Sequence, residues 1–259
     1  MNISTQHDFK FESELFKVAR TKESQPSLPH NLLAQASVFG VTQDLVDQSL
    51  SKVSRPDLAQ YLQDLMCNDS ELKRITSRSY KHPNGFYKLQ LLEQGFSKVR
   101  LHYWPIDMLS AEENVHNHRW RLASKVMHGT LRSELFKPVS AQLSGEADCE
   151  QLSLRLYQKN LGAVEAAAST HGDRWVQKIA TVLRSTGKAY FMDTDQLHRI
   201  VHEGGQSIVT LMVQSAPLFQ ENYMLSKKSV RSPELAPVML SDINELKSIL
   251  SKIINLLNQ

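Results

Sequence analysis

Val115-His116-Asn117-His118-Arg119-Trp120 places two histidines one residue apart. In a β-strand successive side chains leave opposite faces, so both imidazoles would share one face and could grip a single metal ion. Ten histidines in 259 residues would give about 0.4 such pairs by chance, so the pair needs a third ligand before it means anything. One lies in Thr194-Asp195-Gln196-Leu197-His198-Arg199-Ile200-Val201-His202, where His198 closes an apparent strand and turn. His202, four residues on, would occupy the same strand face and is the competing ligand.

Around these two stretches the texture from Tyr80 to Pro217 is one of short alternating or β-branched runs separated by turn residues, which is how antiparallel sheets read. The expected strands are Phe86–Leu92, Lys98–Trp104, Val115–Trp120, Ser124–Met127, Thr130–Phe136, Leu152–Gln158, Trp175–Arg184, Lys188–Met192 and Ser207–Gln214. So many short strands imply a barrel or sandwich. Ala163–Ser169 is Ala-rich and reads as a short helix or an irregular excursion.

The flanks read differently. Apolar residues recur at helical intervals in Phe11–Ala19, Leu32–Phe39, Thr42–Val53 and Asp57–Met66. Ser54 is the expected N-cap of the last of these, with Pro56 in the first turn where its missing N–H is harmless. The first two dozen residues are rich in Ser, Thr, Gln and Lys and have an alternative reading as a partly disordered leader. At the other end Ile243, Leu246, Ile249, Leu250, Ile253, Ile254 and Leu257 form a helical stripe. It reads as a helix docked on the domain or as the seam of a homodimer. The expected organisation is a helical region over 1–78, a barrel over 79–220, and a linker with an amphipathic helix over 221–259.

Composition narrows the function classes. Hydrophobic residues make up 41%, charged residues 22%, and the net charge is +3, ordinary for a soluble globular chain. Basic residues are dispersed, and Lys227, Lys228 and Arg231 form only a small loop cluster, so no nucleic-acid partner is expected. No apolar run is long enough to span a bilayer and Met1–Lys10 is unlike a secretory signal, so no membrane partner is expected and the cytoplasm is the expected compartment. Cys67 and Cys149 have no metal-type spacing and read as free thiols.

His116-x-His118 followed by Gly129, and Gly187 followed by His198, resemble the two motifs of the cupin superfamily. Leu122 and Ala123 stand where the first motif carries an optional Glu. Asp193 and Asp195 replace the turn Pro and Gly of the second, and His202 replaces its terminal Asn. The resemblance implies a mainly β chain, a cupin-type antiparallel β-barrel (double-stranded β-helix or jelly roll) with the N-terminal helical region and C-terminal helix attached. Within cupins the chain resembles the thiol dioxygenases of the cysteine dioxygenase type, which hold ferrous iron with three histidines. Tyr87, the Gly95 turn and Trp104 match that layout, as do Lys125, Gly129, Leu131 and Phe136, Leu197-His198-Arg199-Ile200, and Val209–Pro217. The likeness covers roughly residues 80–217. The family's carboxylate-clamping arginine falls on Leu89, with Lys88 beside it pointing to the opposite face. Its cross-linked cysteine and tyrosine fall on Ala123 and Gln214.

The expectation is therefore a mononuclear non-haem iron oxygenase acting with dioxygen on a small anionic or thiol-containing substrate. His116, His118 and His198 would hold the metal, with Tyr87, His102 and Gln214 as candidate catalytic or positioning groups. Arg100, Trp104 and Met212 are the candidate substrate contacts. In strand Lys98–Trp104 either Arg100, His102 and Trp104 face inward or Val99, Leu101 and Tyr103 do. Ferrous iron is the expected metal, with zinc, nickel and copper as alternatives because imidazole binds all of them. The alternatives in function are a non-catalytic metal- or metabolite-binding cupin, or a zinc or nickel isomerase, lyase or hydrolase, since one fold hosts many activities.

Overall fold

The computed structural model describes residues 28–107, 113–141, 145–158, 167–227 and 237–259. The expected helix at Phe11–Ala19, residues Ala163–Ala166 of the Ala-rich stretch, and Lys228 and Arg231 of the small basic cluster lie outside them. Four helices come first: α1 (Leu28–Phe39), α2 (Gln43–Gln48), α3 (Arg55–Met66) and α4 (Asp69–Thr76). Ser54 caps α3 in a capping box with Asp57, with Pro56 in the first turn as its sequence requires.

Thirteen strands follow: β1 (Tyr80–His82), β2 (Phe86–Gln94), β3 (Ser97–Trp104), β4 (Val115–His116), β5 (Leu122–His128), β6 (Thr130–Val139), β7 (Cys149–Gln158), β8 (Ala167–Ser185), β9 (Ala189–Met192), β10 (Leu197–Val201), β11 (Ile208–Gln214), β12 (Glu221–Ser226) and β13 (Val238–Met239), before α5 (Ile243–Leu257). One sheet runs β13-β1-β2-β3-β11-β5-β9, and the other six strands close on themselves as β10-β4-β12-β7-β8-β6. Every strand pairing among the described residues is antiparallel.

The path of the chain defines the fold. From β3 to β6 it alternates between the sheets, turns over through β8, and alternates back to β11. Each returning strand lies against an outgoing one: β9 on β5, β10 between β4 and β6, and β11 between β3 and β5. That winding is a double-stranded β-helix, the jelly-roll barrel expected from the sequence.

Both faces of the first sheet are buried at its central strands β3, β11 and β5. Its outer face carries Leu89, Leu91, Val99, Leu101, Tyr103, Val209, Leu211 and Val213, which join the helices in one continuous core. Burying these side chains contributes on the order of 1.5–3 kcal/mol each. The stripe of α5 belongs to that core through Leu246, Ile249, Leu250, Ile253, Ile254 and Leu257, so it docks within the chain. Arg55 at the start of α3 donates to the carbonyls of Leu256 and Leu257, 2.9 and 3.0 Å away, and closes the exposed end of α5.

Three expectations are corrected. The strand expected over Val115–Trp120 stops at His116 because Asn117 turns its side chain into the ladder's place: its Nδ2 donates to the Thr194 carbonyl at 2.9 Å and its Oδ1 accepts from the Tyr223 N–H at 2.6 Å. Residues 167–169 begin β8, whose 19 residues bridge β6 and β7. The segment expected to be a linker supplies β12 and β13, and a fourth N-terminal helix, α4, was not expected.

Candidate metal centre

The inner face of the first sheet is set by alternation across five strands. It carries Tyr80 and His82 on β1, Phe86 and Lys88 on β2, Arg100, His102 and Trp104 on β3, Ile208, Thr210, Met212 and Gln214 on β11, and Tyr190 and Met192 on β9, as their cross-strand registers place them. Of the two readings of Lys98–Trp104, the structure takes the one with Arg100, His102 and Trp104 inward. Val99, Leu101 and Tyr103 are also buried, because the helices cover the other face of this strand.

Opposite this wall, β4 and β10 bring His116 and His198 into register as direct partners. His118 follows from the turn fixed by Asn117. The three rings have centroids 4.5, 4.9 and 5.0 Å apart. One nitrogen from each ring lies within 4.8 Å of the others, and among the described residues this is the group of three that could hold a metal ion.

Hydrogen bonds select which nitrogen faces the ion. His116 Nδ1 donates to the Asn114 carbonyl at 2.9 Å, and His198 Nδ1 donates to the Gln196 carbonyl at 3.2 Å. With Nδ1 protonated, Nε2 keeps its lone pair for a ligand, the usual outer-shell arrangement of metal-binding histidine. Burial, with His116 beside it, pushes the His198 pKa down to about 3. Burial and the neighbouring imidazoles also lower His118. His118 and His198 are therefore held neutral at pH 7. The set of three imidazoles fits a borderline divalent metal.

His202 is excluded from this group. Its Nε2 donates to the Gln206 carbonyl at 3.0 Å, beyond the end of β10. The twist and bend of the chain after Val201 break the strand alternation that would have kept it beside His198.

The remaining candidates divide by face. His102, Arg100, Trp104, Met212 and Gln214 all line the barrel. Arg100 donates to Gln214 Oε1, so the position expected to clamp substrate is already engaged by another of the candidates. His102 packs on Phe86 and Trp104, with ring centroids 5.1 and 5.8 Å away, and its buried Nε2 has no hydrogen-bond partner. Tyr87 lies on the other face, stacked with Tyr103 in the helix-covered core. It cannot position a substrate at the histidines, because β2 alternation that turns Lys88 inward turns Tyr87 outward.

The structure adds groups that the sequence left unassigned. Lys88 faces the barrel beside His102. His82 stacks on Phe86 at 4.5 Å, Trp120 stacks on His118 at 5.5 Å, and Arg184 covers the Tyr190 ring at 4.1 Å. Alternation outward from Trp104 reaches His102 and Arg100. Carrying it across to β2 requires the ladder register, which the sequence does not state.

No family model matches the chain, and no curated protein matches it. Solved structures with partial likeness include hydroquinone 1,2-dioxygenase PnpCD in complex with Cd2+ and 4-hydroxybenzonitrile (14% identity, TM-score 0.28, 50% of this chain and 63% of that one). Hydroquinone 1,2-dioxygenase from Sphingomonas sp. TTNP3 with 4-hydroxybenzoate bound is similar at 10% identity and TM-score 0.28, over 49% of this chain and 65% of that one. An uncharacterized conserved protein with a double-stranded beta-helix domain from Klebsiella pneumoniae is similar at 12% identity and TM-score 0.25, over 55% and 80%. The chain thus spans less than two-thirds of either dioxygenase. Among the described residues no helix is long and apolar enough to cross a membrane.

Proposed function

We propose that this chain is a mononuclear non-haem metal oxygenase, iron being the metal best suited to it, acting on a small anionic or thiol-containing substrate inside the barrel. The observation that carries the proposal is the convergence of His116, His118 and His198 with the Nδ1 atoms of two of them tied to backbone carbonyls. Three imidazoles and no carboxylate match the ligand set of the thiol dioxygenases that the sequence resembles. When bound, iron would supply a centre at which substrate and dioxygen meet, with the full 2+ charge uncompensated by its ligands.

The chain's own residues supply the surroundings. Phe86, Trp104, Val126, Leu131 and Ile208 pack as one buried apolar cluster inside the barrel and exclude water from that side. Trp120 covers His118, and Met212 packs with Leu122 and Met192 behind it. Free cysteine is disfavoured as substrate, since Leu89 is in the outer core and Gln214 is bonded to Arg100.

Elemental analysis of protein purified without added metal tests this reading, beside His198→Ala and His202→Ala variants. The expected result is near-stoichiometric iron in the wild type and in His202→Ala, and its loss in His198→Ala. No uptake of iron, zinc, nickel or copper by the wild type after anaerobic reloading would overturn it.

A further inference from the structure

The six strands that close on themselves enclose a second interior, and the strands carrying His116 and His198 form part of its wall. Leu197 and His198 are consecutive on β10, as Val115 and His116 are on β4, so alternation sends each histidine into the jelly roll and each aliphatic neighbour the other way. There Val115 and Leu197 join Phe136, Leu152, Val176 and Leu225 in a cluster of their own.

One end of this interior is closed by charge. Arg199 on β10 reaches Glu134 on β6 at 2.7 Å and Glu150 on β7 at 3.0 Å, and its guanidinium lies over the Phe136 ring, 5.0 Å from the centroid. The other end opens into a cavity of about 480 Å³, walled by Leu154, Leu156, Val176, Leu197 and Leu225. That volume falls within the roughly 300–1,000 Å³ of small-molecule pockets. Leu154 and Leu156 are only half-buried, so the cavity holds apolar surface that a hydrocarbon would remove from water.

The mouth is polar, with His171, Arg174, Trp175, Glu221 and Tyr223 around it. Glu221 accepts from Gln158 Nε2, and Ser169 Oγ lies 2.8 Å from His171 Nε2. Arg174 has donors to spare: among the described residues its guanidinium donates to the Asp173 carbonyl, 2.8 Å away, and pairs with no carboxylate. An apolar blind end with a guanidinium at the entrance complements a molecule with a compact hydrocarbon body and one anionic head. We propose that this cavity binds a small amphipathic carboxylate, its hydrocarbon against the leucines and its carboxylate on Arg174. The site lies on the opposite side of β4 and β10 from the three histidines, and it does not depend on the metal reading.

Isothermal titration of the whole protein with butyrate, hexanoate, octanoate and decanoate, all below micelle-forming concentrations, provides the test. Affinity is expected to rise about fourfold for each methylene that enters the cavity and to level off once the hydrocarbon fills it. Arg174→Gln should weaken octanoate about fivefold, the scale of a solvent-exposed charge pair, and leave octanol unchanged. Leu156→Trp occupies the cavity and Leu154→Asn makes its wall polar. Each should lower octanoate affinity by about tenfold or more while far-ultraviolet circular dichroism stays that of the wild type, and one folded variant of the two suffices. Octylammonium binding as tightly as octanoate would assign the mouth to Glu221 and overturn the proposal. So would wild-type octanoate affinity in a folded Leu156→Trp or Leu154→Asn, or no binding by the wild type because a second copy or another segment of the chain fills the cavity.

Discussion

Lys88 faces His102 across the β2–β3 ladder because of a bulge. From the Gly95-Phe96 turn the register runs Gln94 to Ser97, Glu93 to Lys98 and Leu92 to Val99, and an unbroken ladder would continue until Leu89 met His102. The irregularity between Gln90 and Leu92 shifts the pairing by one, so Leu89 meets Leu101 and Lys88 meets His102. A one-residue slip exchanges the two faces of a strand. Here it sends an aliphatic chain into the helix-covered core and an ammonium into the barrel.

That exchange has a stability consequence. Burial, followed by the charges of Arg100 and Lys98, holds the Lys88 pKa well below its ordinary value. Lys88→Met keeps the length of the side chain and removes the charge, so it is expected to stabilise the metal-free protein by about 1 kcal/mol. In a chain of this size that is a rise in Tm of roughly 2–4 °C. A thermal melt of metal-free wild type and variant checks it, and a lower Tm in Lys88→Met would contradict the account of a desolvated cation.

His82 gives the acid side of the stability profile. Burial, then the Lys88 charge, lowers its pKa from 6.5 to about 3. A group held neutral in the folded state gains its proton more readily in the unfolded one. Its contribution is therefore complete above about pH 6.5 and is lost as pH falls towards 3. His82→Phe preserves the stack on Phe86 and removes this titration. Urea midpoints of the metal-free protein, measured between pH 3 and 6.5, should fall less steeply in the variant, and equal slopes would show that His82 does not titrate there.

How far the sequence reached depended on whether local or long-range information was needed. The His-x-His pair, Gly129, His198 and nine of the strands are local patterns, and the structure has a strand at each of the nine, though at Val115 it is cut to two residues. The two faces of β3 could not be ranked from apolarity, since both are buried. Lys88 required the bulge, and Tyr87 turned outward for the same reason. β1, β12 and β13 are short strands with weak patterns, held in place by pairing with distant partners. His202 was separable from His198 only by the course of the chain after β10.

Gly129 illustrates the local kind. It joins β5 to β6 at φ +81°, and a Cβ built on it would stand 2.4 Å from the Ser207 carbonyl oxygen. Both the backbone conformation and the approach of Ser207 require the absence of a side chain. Gly129→Ala should destabilise the protein by about 3 kcal/mol. Chemical denaturation measures this, and a loss below about 1 kcal/mol would mean that the β11 end yields easily.

Asn117 links the turn to the ligands on either side of it. Its amide spans the Thr194 carbonyl and the Tyr223 N–H, and its own N–H donates to the Tyr223 carbonyl at 3.2 Å. It is buried at 8% exposure, touches no ligand nitrogen, and fixes where the chain carries His118 after β4 has ended. Asn117→Ala removes the two side-chain bonds and leaves all three imidazoles in the sequence. Metal affinity should fall about 10- to 100-fold, the range found when groups supporting metal ligands are removed. Competition against a chelator reads the affinity, and far-ultraviolet circular dichroism at the same temperature reports whether the barrel is intact. A folded Asn117→Ala protein with wild-type affinity would show that His118 is held by its stack with Trp120 instead.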